Sequence, residues 1–337
     1  MDQDLLSESF SKLLRDVADI AVVRAVHRGE SAEALWETLG ESGFLDALVA
    51  EAQGGVGLSR AEVAPLFLLA GASLLPPAFA HTVIARMLMA QAGVTPPVPG
   101  PVLLWPLSPA GALRSSTPPA AFEGEHALVQ HGDLFRLMPL RASEAADGFG
   151  FRVATLTHDT PALAEFRLDG CDLFDWAAAA TAASSAGAIG RVLELSRQHV
   201  TERQQFGRPL GNFQAIQHMI AQAAEQAVLA STAARIGLAG VGVSVDPFRV
   251  ALAKTLTADA AGKVSRIAHA VHGAIGISEE HDLQLYTRSL KRWQIAYGTS
   301  DYWAESIGAA RIAAHEGTAV DFIRSHLAPS DVSRSLA

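Results

Sequence analysis

Apolar positions recur at helical spacing near the N-terminus. Leu5, Leu13, Leu14, Val17, Ile20 and Val23 share about one face, which predicts an amphipathic helix over 4–26. Ser31 can cap a second helix from Ala32 to about Leu39, closed by Gly40 and Gly43. Ser59-Arg60-Ala61-Glu62 is a capping box that opens a helix towards Leu74, ended by Pro76 and Pro77, and another helix covers about Phe79 to Ala92. The pattern changes at Val94-Thr95-Pro96-Pro97-Val98-Pro99-Gly100-Pro101, a run that breaks helix and marks a boundary. Short apolar or alternating runs follow at 102–105, 127–129, 134–138, 151–154 and 164–168. Turn residues separate them, as in a small antiparallel β domain that ends at about Asp172. From Ala177 to Arg324 the period is helical again. The segments are 177–201, 213–240, a third opened by Asp246-Pro247 and running towards Ile275, 280–295 and 301–314. Alanine and glycine at many contact positions let these helices approach closely, as in an up-and-down bundle. The expected architecture is therefore α+β: residues 1–94 a helical domain, 95–173 a reduced β domain, 174–326 a C-terminal four-helix bundle, and 327–337 a loose Ser-rich tail.

Composition narrows the function classes. The chain has 337 residues, 49% hydrophobic and only 18% charged, with mean hydropathy +0.21. No apolar run reaches the roughly 18 residues of a membrane span, so the apolar surface packs inside the chain or between subunits and no membrane role is expected. Net charge is -9 with no basic stripe, which argues against nucleic acid. Met1-Asp2-Gln3-Asp4 starts acidic, unlike a signal peptide, and the sole cysteine, Cys171, excludes an intrachain disulfide; a cytoplasmic location is expected. There is no His-Glu-x-x-His, no cysteine pair and no Gly-x-Ser-x-Gly. Glu279-Glu280-His281-Asp282 reads as an acid-rich helix start favoured by the dipole. His199, His218, His269 and His272 are scattered and read as structural, so no metal is expected.

The most informative stretch is Arg203-Gln204-Gln205-Phe206-Gly207-Arg208-Pro209-Leu210-Gly211-Asn212-Phe213-Gln214-Ala215-Ile216-Gln217-His218. It breaks helix between two alanine-rich segments, so two guanidinium groups and a phenyl ring are fixed at a tight corner beside a helix N-terminus. Such a corner suits a phosphate and a ring. The string resembles the signature of the acyl-CoA dehydrogenase flavoprotein family: Arg-x-x-Phe-Gly, then Pro-Ile/Leu and Phe-Gln. Trp36-x-x-Leu39-Gly40-x-x-Gly43-Phe44, the glycine loop at 54–57 and the helix ending near Leu74-Leu75-Pro76 are similar to the family's N-terminal domain. Ala270-Val271-His272-Gly273-Ala274-Ile275-Gly276 resembles its Gln-Val-His-Gly-Gly-x-Gly, and Arg288 to Asp301 resembles the stretch that ends Tyr-Glu-Gly-Thr-Ser-Glu.

The resemblance implies FAD as cofactor and α,β-dehydrogenation of a CoA thioester. It implies that Arg203, Gln205, Phe206, Gln214, Ala270, Gly273, Ala274 and Gly276 meet the FAD of a neighbouring subunit, and that Thr299 and Asp301 stand where relatives touch the flavin. The departures are specific. The β segment is short and lacks the family's flavin-facing loops, and Ala270 and Ala274 replace a glutamine and a glycine. Tyr297 stands where the catalytic glutamate usually is, and a phenol is mostly protonated at pH 7. Counting back from Arg203, the base position of other branches falls at about Ala177. Asp175 is the nearest candidate in that loop, although capping the helix is the more natural job for an acid there. The resemblance is to the shortened subunit of a heteromeric, steroid-catabolism type of acyl-CoA dehydrogenase. A homologous partner (α2β2) would supply the base, and an electron-transfer flavoprotein would accept the electrons. A self-sufficient homotetramer with a non-standard base, or a scaffold of the same fold, are the alternatives.

Overall fold

The computed structural model describes residues 3–28, 30–75, 78–97, 99–106, 126–146, 152–156, 160–314 and 317–327. All but Leu327 of the expected tail at 327–337, the Pro76-Pro77 stop and Phe151 lie outside these residues. The N-terminal segment is helical: α1 (Gln3–Val17), α2 (Ile20–His27), α3 (Glu33–Glu41), α4 (Arg60–Ala72) and α5 (Ala78–Gln91). The single helix expected over 4–26 is therefore two. Asp19 is the reason: it is extended and its carboxylate accepts from the amides of Ala21 and Val22 at 2.8 and 2.9 Å, starting a new helix. The Ser59–Glu62 capping box forms as expected.

Five strands follow: β1 (Val102–Pro106), β2 (His126–His131), β3 (Leu134–Ala146), β4 (Arg152–Leu156) and β5 (Ala164–Arg167). β2, β3, β4 and β5 pair antiparallel, with Gly132 at φ 64° turning the β2–β3 hairpin. β1 is an exception to the expected antiparallel domain, because it pairs with β2 in parallel, Val102 opposite His126. A parallel pair needs a long connection, and residues 107–125 supply the length.

The C-terminal segment holds α6 (Leu173–Glu202), a hairpin of β6 (Gln204–Gln205) and β7 (Arg208–Pro209), α7 (Gln214–Leu238), α8 (Pro247–His272), α9 (Leu283–Ile295), α10 (Ser300–Ala313) and α11 (Ala319–Leu327). Three boundaries differ from expectation. α6 begins at Leu173, not Ala177, because Asp172 accepts from Phe174 N at 2.7 Å. α8 ends at His272 rather than Ile275, where Gly273 takes a positive φ. α9 begins at Leu283, so the acidic run 279–280 precedes the helix instead of forming its first turn. The Asp246-Pro247 start holds, with Asp246 accepting from Phe248 N and Arg249 N.

α6 is the axis of the molecule. Residues 176–180 and 182–183, all but one of them alanine, are almost fully buried, and α4, α7, α8 and α9 pack on this helix. Small residues allow α4 to touch it backbone to backbone. A Cβ built on Gly187 would overlap the carbonyl oxygen of Leu68, and one on Gly71 the carbonyl oxygen of Ser184. One apolar cluster runs from Leu6 and Phe10 through Leu104 and Phe135 to Tyr297 and Trp303, so helices, sheet and bundle share a core. Among the described residues no helix is long and apolar enough to cross a membrane.

Candidate active site

The residues singled out in the sequence fall into two groups, one at each end of α6. At its C-terminal end Arg203 caps the helix, its amide donating to His199 O at 2.8 Å and its carbonyl accepting from Leu210 N at 2.8 Å. Gln205 pairs with Arg208 across the hairpin. Phe206 and Gly207 form its tip, both at positive φ (53° and 79°), the conformation of a two-residue primed turn. A non-glycine residue there costs about 1 kcal/mol or more. The turn leaves the Phe206 ring 91% exposed, edge-on to Phe213 at 6.1 Å. Arg208 lies over the Phe213 ring at 4.2 Å, a cation–π contact. Arg203 is exposed, and no ion pair engages it among the described residues. Gln214 opens α7, also exposed.

The turn after α8 is the neighbour of this hairpin, because His199, one turn before Arg203, stacks on His272 with ring centroids 4.3 Å apart. Gly273 sits at φ 63°, ψ -142° with open space where a Cβ would be, a conformation that favours glycine. Ala270, Gly273 and Ala274 are exposed and Gly276 is buried against His272 and Leu283. Burial lowers the pKa of His199, His269 and His272, the last to about 4, so the positive charge of this corner is carried by arginine. An exposed guanidinium, an exposed glycine turn and an exposed phenyl ring give this end a donor set suited to an anion and a ring.

The opposite end is sealed. Tyr297 is 1% exposed at φ 54°, and its hydroxyl donates to Leu104 O of β1 at 3.0 Å. His81 lies edge-on to its ring at 5.7 Å and Phe174 at 6.4 Å. Trp303 stacks on Phe174 at 5.4 Å and donates its indole N–H to Tyr297 O at 2.9 Å. Burial drives the phenol pKa far above its ordinary value and pushes His81 down to about 3, so both are neutral and neither takes a proton at pH 7. Lys254, itself buried, donates to Trp293 O at 2.6 Å and fixes the end of α9 that leads into this plug. Asp175 is half-buried in the first turn of α6, and the capping expected of it falls to Asp172. Thr299 caps α10 by accepting from Tyr302 N at 3.3 Å, and Asp301 is exposed beside it. The cavity of about 640 Å³ between Asp46, Gln53, Arg86 and Thr95 touches none of these groups.

Phe174 and His199 mark the two ends of one continuous helix, about 38 Å apart at 1.5 Å per residue. The Arg203 and Gly273 group and the Tyr297, Thr299 and Asp301 group therefore belong to separate sites. Sequence reasoning missed His81, Phe174, Trp303 and Lys254, since they come from distant elements and no local motif marks them. It also read His199 and His272 as scattered and His281 as part of an acid-rich helix start, whereas the structure brings the three together.

Residues 171–312 match the family described as acyl-CoA dehydrogenase, C-terminal domain. The chain is 27% identical over 296 residues to the acyl-CoA dehydrogenase IpdE2 of Mycolicibacterium smegmatis, covering 85% of this chain and 91% of that protein. Its fold is similar to a chain of a variant of the Tcur3481-Tcur3483 steroid ACAD, with TM-score 0.78, 22% identity and coverage of 93% of this chain and 99% of that one. It is likewise similar to a chain of the ChsE4-ChsE5 complex from Mycobacterium tuberculosis, with TM-score 0.71, 17% identity and 94% and 98% coverage. Residues 171–312 thus carry an acyl-CoA dehydrogenase C-terminal domain, and over most of its length the chain is similar to proteins named acyl-CoA dehydrogenases.

Proposed function

We propose that this chain is one subunit of a heteromeric acyl-CoA dehydrogenase and shares an FAD site with a homologous partner that supplies the catalytic base. The observation that carries the reading is Tyr297: the usual position of the base holds a buried neutral phenol, packed among His81, Phe174 and Trp303. Abstraction of the proton α to the thioester needs a carboxylate in a dry slot, and this end offers aromatic rings where that slot would be. FAD, when bound, supplies the electron acceptor for α,β-dehydrogenation. The contribution of this chain is to hold the adenylate end through Arg203, Gln205, Phe206 and Gln214 and the exposed backbone of Ala270, Gly273 and Ala274. The steroid ACAD and the ChsE4-ChsE5 complex among its structural relatives favour an α2β2 assembly acting on a bulky, steroid-derived CoA thioester, with an electron-transfer flavoprotein as acceptor.

The decisive experiment is expression of the chain alone and together with a homologous subunit, followed by the visible flavin spectrum and dehydrogenase assay. The expected outcome is a colourless lone chain without turnover and a yellow, active co-purified complex. Turnover by the lone chain refutes the reading. A second expectation separates a structural Tyr297 from a catalytic one. Tyr297→Phe removes the bond to Leu104 O and lowers stability by about 1 kcal/mol, read by thermal unfolding, while kcat of the complex stays within about twofold. A fall of two or more orders of magnitude would make the phenol part of the chemistry.

A further inference from the structure

His199 lies in the last turn of α6, His272 is the last residue of α8, and His281 sits in the loop that leads into α9. One ring nitrogen of each lies within 4.8 Å of the other two. His272 is the centre: it stacks on His199 at 4.3 Å and meets His281 edge-on at 4.9 Å. Only 6% of His272 is exposed. Its Nδ1 stands 2.8 Å from Ala268 O, and a carbonyl can only accept, so Nδ1 carries the proton and Nε2 keeps its electron pair. That Nε2 is buried and has no hydrogen-bond partner. A ring N–H on a backbone carbonyl, with the opposite nitrogen free, is the arrangement that orients metal-ligating histidines. An unpaired buried acceptor in a native protein needs an explanation, and a bound ion is one that the neighbouring rings here would complete.

The supports around the cluster are independent of one another. Gly276 packs on His272, where a Cβ would lie 2.9 Å from the histidine Cβ. Arg24 of α2 donates to Glu279 O and pairs with Asp282 at 2.5 Å, pinning the loop that carries His281. His281 Nδ1 now accepts from Leu283 N at 3.0 Å, and the His199 ring has no hydrogen-bond partner among the described residues.

We infer that His199, His272 and His281 form a site for a first-row transition-metal ion, with Zn²⁺ the best match to three neutral imidazoles. Zn–N bonds of 2.0–2.1 Å in a tetrahedron place the nitrogens ~3.3 Å apart. The rings draw inward from their present spacing by side-chain rotation, and His281 surrenders its bond from Leu283 to the ion. His272 supplies Nε2 without rearranging its own bond to Ala268. Three protein nitrogens leave a fourth position for water or an anion. Neutral imidazoles also suit Cu²⁺ and Ni²⁺, while oxygen-seeking Mg²⁺ and Ca²⁺ do not match the donor set. An ion here ties the ends of α6, α8 and the α9 loop together directly beneath the Arg203 and Gly273 corner.

The test reads metal, not turnover, so it stands apart from the proposed activity. The full chain, purified with its partner where one is needed for solubility, is stripped with a chelator, titrated with ZnCl₂ by calorimetry, and measured by zinc X-ray absorption. The expected result is one Zn²⁺ per copy of this chain with a first shell of three imidazole nitrogens. Single His199→Ala and His281→Ala proteins, shown folded by circular dichroism, each lose at least tenfold in affinity. Zn²⁺ affinity unchanged in both variants, or an oxygen-only first shell, overturns the assignment. So does failure of the wild-type protein to bind at stoichiometric zinc.

Discussion

Replacing Gly187 with valine is expected to abolish soluble production of the chain or lower its stability by more than ~3 kcal/mol. The reason is geometric. The Gly187 Cα faces the Leu68 carbonyl across the α4–α6 contact with no room for a Cβ, so α4 must be pushed off α6. The displaced helix carries Val63, Leu66 and Phe67, all within 1% exposure, and their burial is lost with it. Gly190, one turn further along the same helix, has nothing within 4 Å of the place a Cβ would take. Gly190→Ala is expected to be neutral or to stabilise by up to ~1 kcal/mol through helix propensity. Soluble yield and circular-dichroism melting of the two variants compare them directly. A Gly187→Val protein that melts like the parent would mean that α4 does not rest on α6 as described.

The second large effect is at Arg203. Arg203→Glu in the assembled complex is expected to reduce FAD occupancy at least ~10-fold, since it removes a charge-assisted contact worth roughly 1.5–3 kcal/mol and adds repulsion towards phosphate. The ratio of flavin to protein absorbance after gel filtration measures it. Arg203→Lys keeps the charge but not the planar fork and should fall between the two. Occupancy equal to the parent would remove Arg203 from the cofactor surface. Because Arg203 is exposed, a change in occupancy with unchanged melting of the chain reports binding and not folding.

Most of the helices were legible because their signals are local. Ser59 and Glu62, or Asp246 before Pro247, make their bonds within three residues, so the chain announces where those helices begin. The break at Asp19 was missed because apolar periodicity runs through it and a single capping carboxylate is a weak mark inside a strong pattern. The parallel pairing of β1 was missed because pairing direction is decided by residues far apart, not by alternation within a strand. The Arg203 corner was legible as a break between two helices, whereas the reading of Tyr297 as the place of a missing base came from the resemblance alone. What the sequence could not show is that Tyr297 is covered by rings from α5, α6 and α10, or that three histidines from distant segments meet under the other end. Those juxtapositions exist only after the core has formed around α6.

The length of α6 has a consequence for counting. On the heteromeric reading proposed above, an open corner at one terminus and an aromatic plug at the other give the polypeptide a polarity, much like a plug and a socket in which the socket has been filled. Two identical copies joined head to tail would present each corner to a filled socket. A mixed pair would house one prosthetic group between two polypeptides, not one in each. The molar yield of released cofactor per mass of protein would then be half that of a homomeric relative in which every socket is vacant.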